Sequence, residues 1–300
     1  MSDVDHRALI ASLSKDERDH LLTLEDRPGL IRLGVHMGLI LGLGWAVAAG
    51  VSWWPLLLVP QGVLIVFLFT LLHETIHNTA FRTRWLNSLV ARICGVMILL
   101  PSDWFRYFHF AHHRHTHDPD KDPELQSPKP ERLWDYMVHL SGGPVWLSLV
   151  KTLVLHGAKE PGDAFVPERG RQKVRREALA HLAFYGVLAG TSVVMGNAVL
   201  FWVWLLPMLL GQPFLRAYLL AEHTRCPHVA NMLANSRTTF TNAVIRFVAW
   251  NMPYHAEHHA YPAVPFHKLP EFHRLTAPHL QETEQGYTRF HRTMVRDFQA

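Results

Sequence analysis

Residues 53–77 read WWPLLLVPQGVLIVFLFTLLHETIH. An uncharged run of about 20 residues is long enough to cross a bilayer as a helix, and here it ends in two histidines with a glutamate between them. Taken alone, His73-Glu74-x-x-His77 is the helix signature of a zinc metalloprotease, with the glutamate as general base. Taken as H-x-x-x-H, the same letters are two imidazoles on one helix face, able to hold some other metal. What the rest of the chain supplies decides between them.

Working outward, no Lys or Arg lies between Arg32 and Arg82, and Glu74 is the one acidic residue there. That stretch holds two spans, 33–51 and 53–72, with interfacial Trp at the turn. A second uncharged block runs from Ala178 to Leu215 and gives spans 178–196 and 198–220 about a tight turn at Met195–Ala198. The expected fold is an all-α integral membrane protein in one domain, residues 1–300. Its four transmembrane helices form two hairpins, with a cytoplasmic helical cap that holds the histidine clusters. Lys and Arg lie outside the two charge-free blocks, so the positive-inside rule makes 1–32, 73–177 and 221–300 cytoplasmic, with both termini inside. A multi-pass protein of a bacterial inner membrane is the location expected. Two weaker apolar segments, 85–101 with Arg92 and 133–157 with a Gly-Gly-Pro break, read as helices at the cytoplasmic interface. A span in only one of them would separate the histidine clusters across the bilayer.

Composition narrows the function. The chain of 300 residues is 49% hydrophobic and 18% charged, below the usual quarter of charged residues. The mean hydropathy of +0.03 averages very unlike segments. Two cysteines, Cys94 and Cys226, exclude a disulfide framework and any cysteine-rich zinc or iron–sulfur site. The net charge of +4 is scattered rather than striped, which argues against nucleic acid. The first thirty residues are charged and contain no signal-peptide core.

The unusual number is 22 histidines. His73 and His77 close the second span, and "RYFHFAHHRHTHDPDKDPE" supplies His109, His112 and His113, then His115 and His117. His223 follows the fourth span, and "NMPYHAEHHAYP" supplies His255, His258 and His259. The expected topology puts all of these on one face. Neutral imidazoles suit Fe, Zn, Cu or Ni and need no charge compensation in a half-buried site. Two H-x-x-H-H sets beside an H-x-x-x-H exceed what one tetrahedral zinc uses, and two metals would employ them. Glu74 then reads as a carboxylate that orients an imidazole N–H rather than as a general base. Asp103, Asp118, Asp120, Asp122, Glu222 and Glu257 stand beside the other clusters, with Asp118, Glu222 and Glu257 as the leading candidates for the same part. The Asp118–Asp122 run also reads as a solvated turn.

With these three boxes the sequence resembles the membrane fatty acid desaturase superfamily, the histidine-box non-haem di-iron desaturases and hydroxylases. The strings "FRYFHFAHHRHTHDPDKDPE" and "NMPYHAEHHAYPAVPFHKLP" look most like a bacterial branch of fatty-acid-desaturase-like proteins, some of which act on small amino-acid-derived substrates. The resemblance implies two iron ions held by His73 and His77, His109, His112 and His113, and His255, His258 and His259, with His223 as the additional ligand. It implies O2 as co-substrate, a lipid-like or fatty acyl substrate, and C–H cleavage leading to desaturation. Hydroxylation, ketone formation or alkene-forming decarboxylation remain open on the same scaffold. The first box here is narrower than the H-x-x-x-x-H of many acyl-CoA desaturases, so their specificity does not carry over.

Electrons would come from a separate ferredoxin-type or rubredoxin-type carrier with its reductase, docking on a basic surface that includes Arg169, Arg171, Lys173, Arg175 and Arg176. Trp104, Phe105, Tyr107, Tyr218, Trp250 and Tyr254 are candidate walls of a substrate slot, or members of an interfacial aromatic belt. His36 could line a tunnel but reads better as a helix-packing residue. The competing zinc-protease reading uses only His73, Glu74 and His77. A metal transporter or sensor would lack an evident path across the bilayer.

Overall fold

The computed structural model describes residues 5–298; the outermost residues of the expected domain and of its cytoplasmic termini lie outside that range. Short amphipathic helices α1 (His6–Ser12) and α2 (Lys15–Leu21) lead into α3 (Asp26–Ala48). Ser14 and Glu17 form a reciprocal capping box at the start of α2. A single 3₁₀ turn, Trp54–Leu57, with Pro55 in its first turn, starts α4 (Leu58–Val66), which continues into α5 (Leu68–His77). Then come α6 (Arg84–Met97), α7 (Ser102–His115), α8 (Leu133–Ser141) and α9 (Gly143–Ala158). The long α10 (Glu168–Val194) precedes a π-helical turn, Phe201–Leu205, that runs into α11 (Leu206–His223). The remainder packs as α12 (Met232–Asn235), α13 (Ala243–Val248), α14 (His255–Ala260), α15 (Leu269–Thr276) and α16 (Tyr287–Asp297). Two short strands, β1 (Thr238–Thr239) and β2 (Thr283–Glu284), pair in parallel with Thr238 opposite Thr283.

Among the described residues, four helical stretches are long and apolar enough to cross a membrane: Lys15–Ala48, Trp54–His77, Glu168–Val194 and Phe201–His223. Each overlaps one expected span. The helices run past the span limits because backbone hydrogen bonding continues through the polar turns that carry His73, His77 and His223. Their outer faces expose large apolar side chains; Trp45 is 71% accessible and Val194 87%. Such surface is costly in water and natural against lipid.

Of the two weaker segments, 85–101 is α6 with the turn after it, and 133–157 is the pair α8 and α9. α6 and α7 meet at 101°, and α8 and α9 at 51°. Leu99 (φ 59°) turns the chain between the first pair, and Gly142 (φ 70°) between the second. At Gly142 a Cβ would fall 2.3 Å from the Gln212 side chain, so glycine serves both the turn and the close approach of α11.

The core is built around α4 and α5, where Ile65, Leu68, Leu71, Leu72 and Ile76 are buried with Phe81, Trp250, Phe266 and Phe272. α4 crosses α11 at backbone contact, and a Cβ on Gly62 would lie 1.9 Å from the Pro207 carbonyl oxygen; small residues permit this approach. His36 on α3 is a packing residue. Its Nε2 donates to the Leu64 carbonyl at 2.9 Å, and its Nδ1 accepts from Trp250 Nε1 at 3.3 Å.

Candidate metal centre

Four elements deliver the box histidines to one place. His73 and His77 sit one turn apart at the end of α5, which Asn78 terminates in the left-handed region (φ 61°). α7 carries His109, His112 and His113; α11 ends at His223; α14 begins at His255 and includes His258 and His259. The start of α7 is fixed by Glu177 of α10. One carboxylate oxygen accepts from Ser102 N–H at 3.0 Å and Ser102 Oγ at 2.6 Å, and the other accepts from Asp103 N–H at 2.7 Å. A capping carboxylate supplied by a distant helix satisfies amide donors that α7 itself leaves free.

The rings form two adjoining groups. Ligand-capable nitrogens of His73, His77, His109, His113 and His258 lie within 4.8 Å of one another, and those of His112, His223 and His259 do likewise. His255 joins the second group, with its Nε2 at 2.9 Å from His223 Nε2. The groups touch where His113 and His259 stack, with centroids 4.1 Å apart.

The tautomers show why the arrangement suits metal ions. His112 Nδ1 donates to Asp122 Oδ1 at 2.9 Å, and His223 Nδ1 donates to the Asn235 carbonyl at 3.2 Å. His223 Nε2 is then a bare lone pair, and it faces His112 Nε2 at 3.1 Å, a nitrogen that Glu124 Oε2 also approaches at 3.4 Å. His113 Nε2 and His258 Nε2 are 3.2 Å apart. Ring nitrogens this close share either a proton or a cation, and nitrogens bound to one metal at ~2.0–2.1 Å stand about 3 Å from each other. Buried nitrogens of His73, His77, His109 and His259 have no hydrogen-bond partner, an arrangement that otherwise carries a desolvation cost. Burial holds His109, His113, His255, His258 and His259 well below the ordinary imidazole pKa, so they are neutral and able to ligate. For His112 burial also acts downward, but Glu124 and Asp122 overcome it and raise the ring above its usual value. The donor set fits two cations preferring nitrogen.

The carboxylates differ from expectation. Asp118 pairs with Lys121 at 3.4 Å and accepts from the Asp120 amide, a solvated turn. Asp122, four residues on, is the one that orients a box imidazole; its other oxygen accepts from His117 N–H at 2.9 Å, which folds the Asp-rich loop back onto α7. Glu74 accepts from the Phe266 amide at 2.8 Å and contacts no ring, tying α5 to the segment after the third box. Glu257 is fully buried on Thr238 and His273, anchoring α14 to β1 and α15. Among the leading candidates only Glu222 stands beside a box histidine, 3.4 Å from His255 Nδ1. His117 is buried and shares the Asn235 carbonyl with His223, at 2.9 Å; His115 is half-buried.

A cavity of about 850 Å³ reaches the cage at His73, His109, His112 and His255. Trp104 and Phe105 line it as expected. The other four aromatics pack elsewhere: Tyr107 against Gly170, Tyr218 against Phe67, Trp250 against Phe266 and Tyr254 against His273. Sequence reasoning missed Glu177, Asn235, Glu124, Lys129 and Arg216. Glu124, Lys129 and Arg216 also line the cavity, and Glu124 directly follows the second box, a signal within reach.

A family model described as fatty acid desaturase matches residues 32–291. The chain is similar to the sn-1 acyl-lipid omega-3 desaturase (ferredoxin) of Nostoc sp. (strain 36), 27% identical over 188 residues, 56% of this chain and 49% of that protein. It is also similar to the chloroplastic omega-3 fatty acid desaturase of Glycine max, 26% identical over 264 residues, 80% of this chain and 58% of that one. Dihydrorhizobitoxine desaturase of Bradyrhizobium elkanii is 24% identical over 238 residues, 72% and 66% of the two chains. The chain spans about half to two thirds of the length of these relatives.

Proposed function

The chain belongs to the fatty acid desaturase family, and from that premise we propose that it is a membrane-bound, O2-dependent oxidoreductase that desaturates an acyl-type chain at a di-iron centre. His73, His77, His109, His113 and His258 would hold one iron, and His112, His223, His255 and His259 the other. Two irons there supply O2 activation and the oxidising power to break a C–H bond. The observation that carries this reading is the convergence of nine histidines in two adjoining groups, several of whose buried ring nitrogens lack a hydrogen-bond partner among the described residues.

The chain's own residues would do the rest. Asp122 and the Asn235 carbonyl hold His112 and His223 in the ligating tautomer. The apolar wall of the cavity places the substrate chain beside His73 and His109 and keeps bulk water away. Both cysteines are buried singly, so electrons would arrive from a ferredoxin-type or rubredoxin-type protein with its reductase. Arg169, Lys173, Arg175 and Arg176 are exposed at the polar end of α10, a fitting face for an acidic carrier. The four long apolar helices would cross the membrane, placing cage and termini at the cytoplasmic side.

The test is turnover of the purified protein with ferredoxin, reductase, O2 and candidate acyl chains, analysed by product mass. Loss of two hydrogens is the desaturase outcome, and gain of one oxygen the hydroxylase outcome. Peptide hydrolysis without O2 uptake would restore the zinc-protease reading.

A further inference from the structure

The cavity at the cage has a mixed lining. Phe69, Trp104, Phe105, Phe108 and Trp146 contribute aromatic surface, and Glu124, Lys129, His139, Arg216 and Glu222 contribute polar and charged groups. A slot for hydrocarbon alone has no use for charges, because burying them costs free energy unless each is paired. Lys129 is satisfied by Glu124 at 2.5 Å, and Glu222 stands at His255. Arg216 is different. Its guanidinium makes no close ion pair or hydrogen bond among the described residues and its Nε is buried without a partner; Glu124 and Glu222 act on its charge only from beyond contact distance.

Arg216 is the lone cation of α11 before its last residue, in a helix that is otherwise uncharged up to Glu222. It precedes His223 by seven residues, two helical turns, so both lie near one helix face about 10 Å apart along the axis. The planar donor fork of arginine matches a carboxylate. We propose that the cavity takes an amphipathic substrate with a free carboxylate, which Arg216 binds while the chain passes the cage at His73 and His109 along the aromatic surface. This deepens the oxidoreductase reading of the cage and rests on it. A cavity of about 850 Å³ has room for a medium-length acid. An acyl chain esterified in a membrane lipid carries no charge at that carbon and would leave the guanidinium unpaired.

The experiment uses iron-loaded protein in detergent, titrated with octanoate, decanoate and dodecanoate and with their methyl esters, and reads affinity from the shift in thermal unfolding. For at least one chain length the acid binds about 10-fold or more tightly than its ester, the scale of one hydrogen bond to a charged group. In Arg216→Gln that preference shrinks to less than about 3-fold at unchanged iron content, and Arg216→Lys keeps part of it. Comparing variant with wild type on the same acid cancels detergent partitioning. Equal affinity of acid and ester in the wild type, no binding of either, or a preference that survives in Arg216→Gln would overturn the proposal. If Arg216→Gln fails to accumulate with iron, the wild-type comparison and Arg216→Lys decide it. Metal content of the same samples separates the two readings. Acid preference with zinc keeps the carboxylate pocket and sinks the di-iron centre; iron without acid preference does the reverse.

Discussion

Asp122 illustrates how one carboxylate prepares a ligand. It fixes the His112 tautomer, holds the His117 amide and caps the short turn at Pro123–Gln126 through the Glu124 amide, at 2.9 Å. Replacing it by Ala frees the ring to rotate or to turn its proton toward the cage. Affinity for the second iron should fall about 10–100-fold, read by iron titration, whereas Asp118→Ala leaves it unchanged. Equal iron binding in both variants would remove Asp122 from the role. At this scale the nine histidines were legible because imidazole spacing on helices is a pattern of sequence. The carboxylates were not, because Glu74 and Glu257 find partners 192 and 19 residues away, and no local spacing encodes such contacts.

Helices set the positions of those side chains, and their ends carry the precision. α7 bears three box histidines, yet its first turn is held by Glu177 from α10. Glu177→Ala strands two amide donors in a half-buried place and should lower stability by about 1–3 kcal/mol, seen as a lower unfolding temperature. An unchanged midpoint would mean that water caps the helix as well. The same α10 offers the basic face. Reversal of Arg169, Arg175 and Arg176 to Glu should slow turnover driven by ferredoxin while leaving iron content and turnover with a small-molecule reductant intact; unchanged ferredoxin kinetics would move docking elsewhere. The four long helices were legible from charge-free runs alone. The 101° bend between α6 and α7 was not, since it depends on a single residue, Leu99, held at positive φ by its surroundings.

Across the whole molecule, two of the long apolar helices end at cage histidines, His77 and His223. The membrane reading therefore makes a geometric prediction. A cysteine placed at Ser52 or Asn197, in the turns away from the cage, should react with an impermeant maleimide from outside intact cells, and one at Ser127 only after permeabilisation. The native Cys94 and Cys226 are buried and should stay silent. Labelling of all three from outside would contradict the assigned topology. Composition and charge pattern conveyed the four long apolar helices because bilayer thickness sets the length of such runs in the sequence. The cavity, with its Arg216, was not legible, since it forms only where α5, α7, α8, α9 and α11 come together.

The central claim is a cage of nine histidines holding a pair of irons, and metal content tests it most directly. Protein purified in detergent without added metal should carry about two irons per chain, the number a donor set of this size and type can use. His223→Ala and His258→Ala, one from each group, should each lose iron while remaining folded. About one zinc per chain, retained in both variants, would contradict the account.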